Sequence, residues 1–63
     1  MCFYILNFRT HTFASASNTN EAITEANRFI ADGVSKDEIE IVNAMDPDIR
    51  YDIDSFVKEA EEW

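Results

Sequence analysis

The opening run Cys2-Phe3-Tyr4-Ile5-Leu6-Asn7-Phe8 is the tightest constraint on what this chain can fold into. It is dense in aromatic and branched residues, and both of its alternating faces are apolar. Phe3 and Ile5 lie on one face, Tyr4, Leu6 and Phe8 on the other. Such a segment reads as a strand inside a sheet, buried on both sides or buried on one side with the other turned to a partner. The cover must come from a chain of 63 residues. A domain that small buries only about 60 % of the surface its unfolded form exposes, so its core is thin. If helices cover one face only, the Tyr4 side is left as an exposed apolar patch, which usually marks an interface. The alternative is that the loop around Ser15–Asn18 wraps over it.

Cys2 is the only cysteine, so no intramolecular disulfide can form. Secreted chains of this size ordinarily rely on such staples, which points to a reducing, cytoplasmic setting. No stretch approaches the roughly 18 apolar residues of a membrane span. Hydrophobic residues make up 46 % of the chain, too many for a disordered acidic tail. One small α+β domain over residues 1–63 is expected.

The segment after the turn Arg9-Thr10-His11-Thr12 returns as a short strand, Phe13-Ala14-Ser15-Ala16. Asn18 followed by Glu21 has capping-box spacing, and Ala22, Ile23, Ala26, Phe29 and Ile30 form one helical stripe. Gly33 sits where a left-handed residue ends that helix, with Val34 placed to make the accompanying apolar contact. A third strand covers Ile39, Ile41 and Val42, and Asp46-Pro47-Asp48 reads as a turn. From Asp48 to Ile53 polar and apolar residues alternate strictly, which predicts a half-buried strand with Ile49, Tyr51 and Ile53 inward. Asp54 or Ser55 then caps a last helix whose inner stripe is Phe56, Val57, Ala60 and Trp63. The expected fold is a three- or four-stranded antiparallel sheet with two helices, in ββαββα order. The helices also match at an offset of 34, as two ββα units would, although amphipathic helices match easily by chance.

Charge is the second constraint. Thirteen acids against five bases give a net charge of -8, and residues 1–20 carry only Arg9. Residues 46–63 hold Asp46, Asp48, Asp52, Asp54, Glu59, Glu61 and Glu62 against Arg50 and Lys58. Such a balance excludes a nucleic-acid binder working through a basic surface. The aspartates do not make a calcium loop, because Arg50, Tyr51 and Val57 stand where an EF-hand needs an oxygen ligand, glycine and glutamate. His11, the only histidine, has no second histidine to complete a zinc site and reads as a turn residue. No phosphate-cradling loop is available to a chain with one glycine. Neither an enzyme, a metal site nor a cofactor is expected.

On a strand, Asp48, Arg50, Asp52 and Asp54 project to one side with alternate residues about 6.5–7 Å apart. That row, continued by Glu59, Glu61 and Glu62 with Tyr51 at its edge, has the chemistry to occupy Lys and Arg sites that grip phosphate. The plainer reading is a solvated face that keeps a small protein soluble.

In size, acidity and lack of a catalytic motif, the chain resembles the small acidic inhibitors of phages and mobile elements, the anti-CRISPR and anti-restriction proteins. The resemblance covers no diagnostic residue string. It implies an inhibitor that mimics DNA and binds a basic nucleic-acid-processing protein, such as a CRISPR effector nuclease, in a bacterial cytoplasm. It implies no direct contact with nucleic acid or membrane. The competing expectation is a non-catalytic module that forms a homodimer through the first strand, with its acidity serving solubility.

Overall fold

The computed structural model describes residues 2–63. Along the chain come β1 (Phe3–Asn7), β2 (Thr12–Ala16), α1 (Thr19–Ala31), a 3-10 turn (Lys36–Glu38), β3 (Ile39–Asn43), β4 (Asp46–Tyr51) and α2 (Ile53–Ala60). The strands form one antiparallel sheet in the order β2-β1-β3-β4, the expected α+β fold. β1 is interior, as its composition requires: β2 takes one edge and β3 the other. The β1–β3 ladder is lengthened at both ends, by Phe8 N donating to the Glu38 carbonyl and Ala44 N to the Cys2 carbonyl. Cys2 lies just before the strand and is exposed.

Both helices pack on the same face of the sheet. Phe3, Ile5 and Ile41 rise from the central strands to meet Ala22 and Ala26 of α1 and Ile53 and Phe56 of α2. Phe3 and Phe56 meet edge to face at 5.0 Å, each essentially fully buried. Burial on that scale stabilises by about 1.5–3 kcal/mol per ring. The two small alanines let α1 approach the sheet closely, and Ile23, Phe29 and Ile30 fill in around it.

Each helix is closed by local chemistry. Asn18 Oδ1 accepts from Glu21 N at 2.9 Å, while the Glu21 carboxylate accepts from Ser17 N at 2.9 Å. At the far end Gly33, with φ of 99°, lets its N–H reach Ile30 O and the Val34 N–H reach Phe29 O, a Schellman closure that buries Val34. Arg9 Nη1 donates to the Gly33 carbonyl at 2.7 Å, tying the β1–β2 turn to the end of α1. His11, in that turn, holds a left-handed φ of 56°, a conformation histidine tolerates better than most residues.

The two ββα units are related in topology by a two-fold axis through the sheet beside the Ile5–Ile41 pair. Asn7 and Asn43 end the two central strands, both buried, and each turns its side chain onto the following hairpin turn. Asn7 Oδ1 accepts from Arg9 N at 3.0 Å, and Asn43 Oδ1 from Met45 N at 2.9 Å. The helix caps, Asn18 and Asp52, fall at the offset of 34 seen in the sequence.

Three expectations change. Asp46-Pro47-Asp48 is not the turn between β3 and β4. Ala44 and Met45 turn the chain, and the Asp-Pro-Asp segment bulges within β4, between the pairs Asn43–Asp46 and Val42–Arg50. The bulge breaks the strict alternation, and Ile49 stays exposed. The strand also ends earlier, because Asp52 caps α2: its Oδ1 accepts from Ser55 N at 2.7 Å, in place of the expected Asp54 or Ser55 cap. Finally, no loop wraps the second sheet face. Ser17 and Asn18 lead straight into α1 on the other side, leaving Tyr4, Phe8 and Phe13 exposed.

Truncating Phe56 to Ala should cost about 3–5 kcal/mol. A chain of this length has roughly 3–9 kcal/mol in total, so Phe56→Ala is expected to lose its cooperative thermal transition by circular dichroism. Asn18→Ala should cost about 1 kcal/mol and lower Tm by about 4–8 °C, whereas Phe13→Ala in dilute solution, where the chain is monomeric, leaves Tm nearly unchanged.

Candidate functional site

The seven carboxylates singled out in the sequence all lie on the β4–α2 lobe. Asp46 and Asp48 sit on the bulge, where Asp46 Oδ1 accepts from Asp48 N at 3.3 Å. Asp52 and Asp54 stand at the first turn of α2, Glu59 near its end, and Glu61 and Glu62 just past it. The seven follow one another along the chain, but the even row of a strand is absent. With Asp52 a cap and Asp54 already helical, only Asp48 and Arg50 keep a strand-like relation. The carboxylates instead line a bulged edge and both ends of a helix about 12 Å long.

The Asp52 carboxyl is held below its ordinary range by the Ser55 backbone N–H and, after it, the Ser55 hydroxyl. Its negative charge also suits the positive end of the α2 dipole, as does that of Asp54. Glu61 and Glu62 crowd the opposite, negative end, where Lys58 alone offsets them. Tyr51 is less available than expected. Its ring packs against Phe56 at 5.4 Å and Trp63 at 6.4 Å, on the helix side of the sheet. Burial first, and then the Glu59 carboxylate beside it, raise the Tyr51 phenol above its ordinary range.

Residues far apart in sequence complete the surface. Lys36 reaches Asp54 at 3.3 Å, and Arg50 reaches Glu40 at 2.9 Å. With Asp37 and Asp52 these four line a shallow groove of about 470 Å³. Sequence reasoning missed Lys36, Asp37 and Glu40, because eighteen residues separate Lys36 from Asp54 and no motif links them. Both ion pairs are solvent-exposed and contribute little stability, about 0–1 kcal/mol at most. Their consequence is electrostatic, since they occupy two of the five cations within the groove.

The fold sorts charge by half. Residues 1–31, the first ββα unit, carry two bases and two acids and are neutral. Residues 32–63 carry three bases and eleven acids, the whole net charge of -8. Strand order keeps the halves apart, with neutral β2 at one edge of the sheet and acidic β4 at the other. Among the described residues no cluster of His, Cys, Asp and Glu is arranged to hold a metal ion, and no helix is long and apolar enough to cross a membrane.

No protein-family model, curated protein or solved structure matches the chain.

Because the folded Asp52 carboxyl titrates below the ordinary aspartate value of about 3.9, its ionised form stabilises the fold above that value. That contribution is lost as pH falls through the lowered pKa. The Tm advantage of the wild type over Asp52→Ala should therefore be full at neutral pH and shrink in acid. For Asp52→Asn, which keeps a capping oxygen, the difference from wild type at neutral pH should be smaller.

Proposed function

We propose that this chain is a non-catalytic inhibitor whose β4–α2 lobe binds the basic surface of a nucleic-acid-processing protein, in the manner of the anti-CRISPR and anti-restriction proteins it resembles in type. The observation that supports this reading is the sorting of charge: the entire -8 sits on one half of the fold. A coat serving solubility alone has no need of such asymmetry. A field of one sign on one side steers association and orients the encounter. The carboxylates act as a dispersed negative patch on a bulge and helix, a looser imitation of phosphate than a regular row. Guanidinium and ammonium groups that grip a nucleic-acid backbone would be met by Asp46, Asp48, Asp54, Glu61 and Glu62. The cytoplasm of a bacterial cell is the compartment this reading implies.

The competing reading, a homodimeric module with acidity for solubility, draws on the uncovered apolar sheet face. Because β1 has both edges paired, the first strand offers such a dimer only the side chains of that face.

The test is affinity capture of nucleic-acid-binding proteins from a bacterial lysate, followed by binding of the purified partner. Affinity should fall about tenfold or more between roughly 50 and 200 mM salt, and DNA or RNA should displace the chain. Asp48→Lys with Glu61→Lys and Glu62→Lys lies outside the helix N-caps and ion pairs. This triple variant should abolish binding with its circular dichroism spectrum intact. Binding that survives the triple reversal, or that ignores salt, overturns the proposal.

A further inference from the structure

The two edges of the sheet are built in opposite ways. β4 is guarded: Pro47 has no N–H to offer a further strand, Asp46 and Asp48 flank it, and the bulge breaks the pairing surface. These are the devices that stop an edge from recruiting strands. β2 has none of them. Thr12-Phe13-Ala14-Ser15-Ala16 carries no charge and no proline, and it pairs in unbroken register with β1 over its whole length. Beside this edge lies the apolar patch that neither helix covers. Phe13 is 65 % exposed and meets Tyr4, 43 % exposed, edge to face at 5.8 Å. Leu6 and Val42 continue the same face, where Glu40 of β3 and Arg50 of β4 are paired with each other.

Charge selects the occupant. Copies of a chain with net charge -8 repel, except where they meet through neutral surface. β2 and its patch belong to the neutral half, at the sheet edge farthest from β4. We infer that the chain forms a two-fold dimer in which β2 adds antiparallel to the β2 of a second copy. With the axis at Ala14, Phe13 of each copy stands across from Ser15 of the other, and the two Tyr4–Phe13 pairs join into one apolar strip. The product is an eight-stranded sheet with β4 at both outer ends, seven strand spacings or about 34 Å apart. That is about four Debye lengths at physiological salt, so the acidic lobes scarcely feel one another. Such an isologous pairing is the commonest way for identical chains to associate.

Sedimentation equilibrium on the full chain should show mass rising with concentration from 7.3 kDa toward twice that value. Raising salt from about 10 mM, where the Debye length is about 30 Å, to physiological ionic strength should strengthen the dimer by screening like charges, the opposite of its effect on a cationic partner at the acidic lobe, which separates the two proposals. Amide exchange at β2 should slow as concentration rises. Ser15→Lys, and separately Phe13→Lys, should weaken association at least about tenfold while keeping the wild-type circular dichroism. Asp48→Lys, on the guarded edge, should leave the dimer in place. A monomer at millimolar concentration overturns the inference. So does a dimer that persists in both lysine variants, or one that is broken by Tyr4→Glu while the β2 amides exchange at the monomer rate.

Discussion

Two short helices can cover one face of a four-stranded sheet, and everything else in this protein follows from that shortage of material. The covered face is closed by the contact of Phe3 with Phe56, two rings from opposite ends of the chain. That contact holds α2 down, and with α2 it fixes the position of five of the seven candidate carboxylates, Asp52, Asp54, Glu59, Glu61 and Glu62. α1 needs less help, because its caps and small buried alanines agree with its tertiary setting. The uncovered face keeps Tyr4, Phe8 and Phe13 in contact with solvent, so four of the eight aromatic rings, these three and Trp63, lie exposed. A core of this size cannot absorb them.

The second organising effect is electrostatic. A net charge of -8 costs a small chain stability through self-repulsion, and spreading the charges evenly over the surface would minimise that cost. The fold does the reverse, because its halves occupy opposite sides of the sheet and differ in composition. The guarded and unguarded edges follow the same division: aspartates and proline stand on the acidic side, and small uncharged residues on the neutral side.

Much of the architecture was legible in the residues. α1 was readable from end to end because cap, stripe and terminating glycine are all local signals, and local signals that agree are dependable. The interior place of β1 followed from its two apolar faces. The β4–α2 junction misled, since Asp48 to Ile53 satisfies a strand period while Asp52 is also a good cap. The capping bond prevailed, and it converted an expected row of carboxylates into a patch. The bulge at Pro47 was unreadable because it is defined by register with β3. Of the candidate surface, the sequence shows seven acids on one stretch of chain but not that Lys36 pairs with Asp54 or Glu40 with Arg50, since both pairs arise through long-range packing.

Trp63, the sole indole of the chain, lies just beyond α2 with its ring within 6.4 Å of the rings of Phe3, Tyr51 and Phe56. It spans the seam between the acidic helix and the central strand while keeping part of its surface in water. Its emission is therefore an intrinsic optical gauge of whether that helix is seated. A ligand that loosens or clamps the seam would shift the fluorescence maximum, with no label introduced.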